Sequence, residues 1–381
     1  MSENVLIVGS GIIGLAHALV AREAGHHVTV IERSSRPLGA SVRNFGTIWP
    51  IGLEFGPERE QALFGVRRWR EMAVRAGFWC DPCGSLSLAY RDEAWAVLRE
   101  FAEANSAPGL SLVSPEEVER RYPLANPERL RGALFSEHEL CVRSRDALAA
   151  VVTYLGTLGV EFHFGVCAVK VHEGAVEVAD ERFFAYDRLV IAAGEDMRTL
   201  FPEELAAARL HRCQLQMMRT TSLVGRLGTI MVSDLTLNHY PAFKHCPSLP
   251  KLREALSATM SEFEAHGVHV IAAQHGDGTL TLGDSHEYAA DFEPDYYTDV
   301  EELILQNLAS FVRVPDLRIA SRWQGVYLKS KLGQLQVVLN PRERVTMVTA
   351  MGGLGMTLSW GLAEKTVAAW KSTANLAPVA G

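Results

Sequence analysis

No stretch of this 381-residue chain approaches the roughly 18 uninterrupted apolar residues of a membrane-spanning helix, so a spanning segment is excluded. Long runs of one charge sign are missing too. The 37 Lys and Arg against 45 Asp and Glu leave a net charge of −8, a balance that argues against a nucleic-acid or anionic-membrane binder. Cysteine is sparse: Cys80, Cys83, Cys141, Cys167, Cys213 and Cys246. Only the first two are close in sequence, and four of the six have apolar neighbours, as buried free thiols do, which points to a reducing compartment. No secretory leader precedes the first apolar run, Val5 to Val8, so the expected location is the cytoplasm. Cys80-Asp81-Pro82-Cys83 has redox or zinc-ligand spacing, but no second pair completes four ligands, and no metal is expected. A serine-nucleophile motif, a phosphate-binding lysine loop, internal repeats and low-complexity linkers are all lacking.

What is present is an ordinary globular composition, 48% hydrophobic and 22% charged, in a chain long enough to bury a large core without disulfides. Val5-Leu6-Ile7-Val8 is wholly apolar, the mark of a strand covered on both faces. Leu15 to Glu23 reads as a helix ended by Gly25, and Val28 to Glu32 as a second strand: a βαβ start. Pro57 to Arg75 is an amphipathic helix whose arginines (Arg67, Arg68, Arg70, Arg75) are read as a solvated face. Ser114-Pro115-Glu116-Glu117 carries helix-start signals. Arg143 to Leu158 reads as a helix, and Val160 to Phe164 and Asp187 to Gly194 as strands. From Leu210 to about Gln336 short alternating runs suggest antiparallel sheet mixed with helices. Val345 to Ala350 is again a buried strand, followed by glycines and a helix from about Leu358 to Trp370. Nucleotide-domain signals thus fall at both ends and in the middle, which fits two interleaved lobes.

The strongest motif is Gly9-x-Gly11-x-x-Gly14, placed between strand and helix. Gly9 permits the tight turn, Gly11 close approach of the backbone to a pyrophosphate, and Gly14 close helix–strand packing; the helix N-terminus faces the anion. Glu32, ending the second strand, suits the hydroxyls of an adenosine ribose and disfavours a 2′-phosphate. Ile12, Ile13 and Arg33 are counted with this dinucleotide site. FAD is favoured over NAD because a second buried strand ends in Ala193-Gly194. In addition, a second glycine turn, Gly352-Gly353-Leu354-Gly355-Met356-Thr357, lies near the C-terminus, where its N–H groups would meet a flavin ring.

These residues, with Gly39-Ala40-Ser41-x-x-Asn44-x-Gly46, Leu282-Gly283-Asp284-Ser285-His286-Glu287 and Trp323-x-Gly325, give a chain that resembles the D-amino acid oxidase and glycine/sarcosine oxidase superfamily over its whole length. The resemblance implies an α/β fold of glutathione-reductase-like, D-amino acid oxidase type. In it a Rossmann-type FAD-binding domain (1–84, 145–209 and 330–381) is interleaved with an α+β substrate domain on a mixed or antiparallel sheet (85–144 and 210–329). It implies that Ala40, Ser41, Asn44, Phe45 and Gly46 lie along the flavin and pyrophosphate, and that a residue near Val169 meets adenine. Members with covalent flavin carry a histidine near positions 43–44 or a late cysteine. Here stand Arg43 and Asn44, with no cysteine after Cys246, so FAD is expected to be noncovalent.

Members that oxidise amino acids carry an arginine two residues after the glycine of Trp-x-Gly, suited to forking onto a carboxylate. This chain has Tyr327 there. Lys329 and Lys331 follow at alternating positions, either serving an anion or solvated. Tyr240, His239, His286 and Arg43 complete the substrate-site candidates, with core or surface placement the alternative for each. The pattern around Arg43, with Trp49-Pro50, looks most like a subgroup associated with aminophosphonate breakdown. The expected activity is FAD-dependent oxidation of a small anionic amine, with an aminoalkylphosphonate favoured. The flavin carries the chemistry, and oxygen or another acceptor takes the electrons. The alternatives are a glycine, sarcosine or D-amino acid oxidase, an NAD(P)H-dependent flavin monooxygenase, and a tRNA-modifying flavoprotein that the negative charge disfavours.

Overall fold

Both alternations of the first strand are apolar because both faces of its sheet are covered: Val5, Leu6 and Ile7 are buried in β1 (Asn4–Val8). The computed structural model describes residues 2–105 and 108–374, with side chains as far as residue 370. Residues 1, 106–107 and 375–381 of the ranges assigned above lie outside it. After β1 the chain turns at Gly9, where φ is +105°, and enters α1 (Ile12–Glu23) with Gly11 as its extended N-cap. Gly25, at φ +91°, releases it into β2 (His27–Glu32). A methyl group at Gly14 would sit 1.9 Å from the Gly9 carbonyl oxygen, so only glycine lets α1 lie this close to the turn.

These strands belong to a six-stranded sheet in the order Val337–Arg342, Val345–Thr349, Arg188–Ile191, β1, β2, Glu161–Phe164. All neighbours are parallel except the first pair. Beside it α1 packs against the helix Gly355–Ala374, which packs in turn against the helix Pro57–Ala76. Their contact is sealed by Trp69 and Trp360, both fully buried and edge to face at 5.7 Å; the Trp69 indole N–H donates to the Met356 carbonyl at 2.7 Å. Arg68 is not part of a solvated face. It pairs with Glu23 of α1 and with Glu71, and its side chain is only 12% exposed, so it ties two helices together; Arg67 and Arg70 are exposed as expected.

The second large sheet runs Glu287–Ala289, Leu210–Ser222, Thr279–Gly283, Ile271–Gln274, Ile230–Val232, Ser85–Ala89, Gly132–Ser136, Leu110–Val113, with Ile319–Ser330 also paired to Leu210–Ser222. Its pairings are antiparallel except Ile230–Val232 with Ser85–Ala89. The fold is the mixed α/β architecture expected. Ser114 caps the helix Pro115–Arg121 by accepting from the Glu117 N–H at 3.3 Å. The last helix begins at Gly355, not near Leu358, so Gly355, Met356 and Thr357 form its first turn and the glycine turn proper is shorter than expected. Among the described residues no helix is long and apolar enough to cross a membrane.

Candidate active site

A cavity of about 440 Å³ runs from the ends of β1 and β2 to the inner face of the second sheet. At the β2 end Glu32 is held rigidly. One carboxylate oxygen accepts from the Ser10 N–H and hydroxyl, both at 2.9 Å, and the other from the Ser34 N–H at 2.9 Å. Its remaining lone pairs face the cavity, where ribose hydroxyls would find them. Arg33 also lines this end and is paired with Asp196 at 2.7 Å. Val169 is exposed and outside the cavity; Val166, Cys167 and Ala168 line it instead, because the register of the strand Ala168–His172 shifts between Ala168 and Lys170 and leaves Val169 unpaired and turned outward.

The middle is a backbone cradle. Gly9, Gly11, Ile12 and Ile13 lie on one side, Ala40, Ser41, Asn44 and Phe45 on another, and Ala193, Gly194 and Gly352 to Thr357 on a third. The Ser41 hydroxyl accepts from the Ile12 N–H at 3.0 Å, so the loop is tied to the start of α1. Asn44 shapes its own loop, donating to the Ala40 and Ser41 carbonyls and accepting from the Gly46 N–H at 2.8 Å. Gly14 and Gly46 do not line the cavity. Gly14 acts through the helix approach described above, and a methyl at Gly46 would meet the Val142 carbonyl oxygen at 1.9 Å. A glycine cradle, an anchored acid and the N-terminus of α1 fit a dinucleotide such as FAD.

The far end is the roof, lined by Leu215, His239, Tyr240, His269, Ile271, Asp284, His286 and Tyr327. A side chain at Gly353 would meet the Tyr327 hydroxyl at 3.3 Å, so this tyrosine stands directly over the second glycine turn. Arg43 lines the cavity, but its Nε donates to the Leu38 carbonyl at 2.8 Å and its Nη1 to the Gln324 carbonyl at 3.2 Å. The Trp323 indole N–H donates back to the Arg43 carbonyl at 3.0 Å, so the Trp-x-Gly motif and the Arg43 loop clamp each other. Lys329 stands behind the lining, donating to the Tyr288 hydroxyl at 3.1 Å and lying 5.7 Å from the Tyr327 ring centroid. Lys331 follows the strand, is exposed and takes no part in the cavity.

The apolar roof residues Leu215 and Ile271 are not among the substrate-site candidates that the sequence offers, nor are two polar ones, His269 and Asp284. Neither has a local motif of its own; they meet because the strands Ile271–Gln274 and Thr279–Gly283 pair, and the two backbones exchange hydrogen bonds just beyond the ladder. The signal available was weak: Asp284 stands in the Gly283-Asp284-Ser285-His286 stretch, one turn of chain from His286. Burial governs the charge here. It holds His239 and His269 well below the ordinary imidazole range, with Lys329 and the neighbouring histidines adding to the effect, and holds His286 down at about 3. It pushes Asp284 up to about 8 against the pull of Lys329. Near neutral pH the histidines are uncharged.

The chain matches the DAO family, described as FAD dependent oxidoreductase, over residues 4–369. It is 28% identical over 255 residues to the tRNA 5-methylaminomethyl-2-thiouridine biosynthesis bifunctional protein of Aeromonas hydrophila subsp. hydrophila, covering 64% of this chain and 38% of that one. It is 28% identical over 181 residues to L-saccharopine oxidase of Schizosaccharomyces pombe, covering 43% and 41%. The chain thus spans well under half the length of these curated relatives. Its fold is similar to glycine oxidase from Geobacillus kaustophilus (TM-score 0.76, 17% identity, 96% and 94% covered). It is also similar to L-proline dehydrogenase from P. horikoshii (TM-score 0.76, 16% identity, 98% and 94% covered).

Proposed function

The chain belongs to the DAO family of FAD dependent oxidoreductases, and on that premise we propose that it oxidises the C–N bond of a small primary or secondary amine bearing an anionic group. An aminoalkylphosphonate, such as 2-aminoethylphosphonate or its N-methyl derivative, is favoured over an α-amino acid. One observation carries this reading: both arginines that line the cavity are already engaged, Arg33 by Asp196 and Arg43 by two carbonyls, while Tyr327 occupies the place of a carboxylate fork. A planar carboxylate therefore lacks its usual bidentate partner, and the roof offers imidazoles and a lysine behind them instead.

FAD, when bound, would supply the two-electron acceptor, and Gly9, Gly11 to Ile13, Glu32, Ala40, Ser41, Asn44, Phe45 and Gly352 to Thr357 would hold it. The residues of the chain do the rest. Tyr327 and Gly353 set the depth to which a substrate enters. The imidazoles, held well below their ordinary range, are too weak to take a proton from an ammonium, so the amine enters in its deprotonated form and no side-chain base is required. Ile271 and Leu215 exclude water from the reacting carbon. The product imine is hydrolysed to a carbonyl compound and free amine, and oxygen or another acceptor reoxidises the cofactor.

The test is anaerobic bleaching of the flavin in the FAD-loaded protein by glycine, sarcosine, D-alanine, 2-aminoethylphosphonate and its N-methyl derivative. Fast bleaching by the phosphonates is the expected result. Bleaching by the amino acids alone moves the reading to a glycine, sarcosine or D-amino acid oxidase. Reduction by NADPH and by none of the amines moves it to a monooxygenase.

A further inference from the structure

The roof contains buried polar groups that nothing among the described residues satisfies. Both ring nitrogens of His269 and the Oδ1 of Asp284 are buried without a hydrogen-bond partner. His286 uses Nδ1 on the Gly267 carbonyl at 3.0 Å, which leaves its Nε2 for something else. A coordinating nitrogen from each of His239, His269 and His286 lies within 4.8 Å of the others. Asp284 Oδ1 stands 3.6 Å from His269 Nε2 and 4.0 Å from His286 Nδ1, too far for hydrogen bonds. Polar groups taken out of water with no replacement partner are costly to fold, and such groups call for a ligand.

A divalent cation and an oxyanion both bind imidazole, and the geometry separates them. Ligands of a metal ion radiate from one point, with bonds of about 2.0–2.1 Å. Here the three rings lie against one another's faces, tilted by 36°, 38° and 20° with centroids 3.8, 4.7 and 5.1 Å apart, and His286 has already used Nδ1 on the Gly267 carbonyl. Lys329, close behind, opposes a second cation and favours an anion. Hydrogen bonds of about 2.8 Å to separate oxygens of one group tolerate donors spaced this way.

We propose that His239, His269 and His286, with Lys329 behind them, form a seat for a tetrahedral oxyanion, the acidic head group of the amine substrate. Calling the ligand a substrate head group rests on the amine-oxidation reading; the seat itself rests on the geometry. An N–H from each of His239 and His269, with the carboxyl O–H of Asp284, gives three donors that match a group with three outward oxygens better than a planar carboxylate; His286, whose Nδ1–H is used on the Gly267 carbonyl, adds a fourth when a bound anion draws a proton onto its Nε2. Asp284, held protonated by burial, donates without adding a repelling charge. The groups facing the seat from the surrounding elements are Asp284, Tyr240, Tyr327, and, behind them, Lys329, Tyr288 and Cys213.

The experiment titrates the FAD-loaded full chain with methylphosphonate, inorganic phosphate and acetate, following the flavin absorbance shift and the calorimetric heat. Methylphosphonate is expected to bind about 10–100-fold tighter than acetate, and His269→Gln and His286→Gln to lose most of that preference with FAD content unchanged. Tight phosphate binding equal to that of methylphosphonate supports the seat and assigns it to the oxyanion as such. Equal affinity of the native protein for methylphosphonate and acetate overturns the proposal without recourse to any variant. So does one equivalent of a transition metal in the purified protein that is lost in His269→Gln. If methylphosphonate binds and the variants abolish it while no amine bleaches the flavin, the seat stands and the amine-oxidation reading falls. The reverse pattern leaves the reading standing and removes the seat.

Discussion

The two ends of the cavity are built on opposite principles. At the Gly9 end each polar side chain already has a partner inside the protein: Glu32 with Ser10 and Ser34, Ser41 with the Ile12 N–H, Asn44 with its own loop, Arg33 with Asp196. At the roof, neither ring nitrogen of His269 nor the Oδ1 of Asp284 has one. The first end is a finished mould that holds its shape alone, as a cradle for a resident cofactor should. The second is unfinished, and its polar groups are completed by whatever molecule enters.

That contrast can be broken most forcefully at the mould. Gly9→Ala places a methyl 2.3 Å from the Ala192 carbonyl oxygen at a φ of +105°, and FAD affinity is expected to fall by roughly 3 kcal/mol, about 100-fold. The ratio of flavin to protein absorbance after gel filtration measures it, and full retention of flavin contradicts a rigid cradle. At the roof, Tyr327→Arg introduces a guanidinium fork. The ratio of kcat/KM for 2-aminoethylphosphonate over glycine should then drop by about 10–100-fold, whereas an unchanged ratio shows that position 327 does not read the anion.

The pH dependence of stability sharpens the contrast, because a buried, unpartnered carboxyl should leave a signature there. Asp284 is raised to about 8 in the folded protein, above the ordinary carboxyl value of about 3.9. Between these values the folded state keeps a proton that the unfolded state has lost, so stability declines as pH rises, by at most about 1.4 kcal/mol per unit, and levels off above 8. The three histidines act in the opposite sense: held low when folded, they add stability as pH rises towards about 6.5. Melting curves of the native protein and Asp284→Asn, compared from pH 4 to 8, isolate the carboxyl. The gap should widen in favour of the asparagine as pH rises, and a constant gap shows that Asp284 ionises normally. The smallest effect is expected for Glu32→Gln, which keeps one acceptor: about 3–10-fold in the Kd for FAD, measured by fluorescence quenching on rebinding.

Much of the mould was legible in the linear order of residues. Its parts are contiguous: a strand, a glycine turn, a helix and an acid within the first 32 residues, each dictated by local sterics. Buried strands and amphipathic helices announce themselves by period, and Pro57–Ala76 and Ser144–Thr157 lie within a residue or two of where the pattern puts them. The points that tertiary structure decided are those with no local period. Arg68 left the solvated face because Glu23, 45 residues earlier, sits within its reach. The last helix begins at Gly355 because its first turn is held from outside, by the Trp69 indole on the Met356 carbonyl and the Thr357 hydroxyl on the Trp49 N–H. Val169 lies outside the cavity at the Glu32 end, and Lys331 lies beyond the strand, because bulges and strand ends are settled by pairing. The roof is the extreme case. His239, His269 and the Asp284-Ser285-His286 stretch come from separate segments and become one cluster only when antiparallel strands pair in a particular register. Sequence alone determined that a dinucleotide-binding flavoprotein fold would form; pairing across distant segments, which no local propensity encodes, decided which side chains would face its substrate.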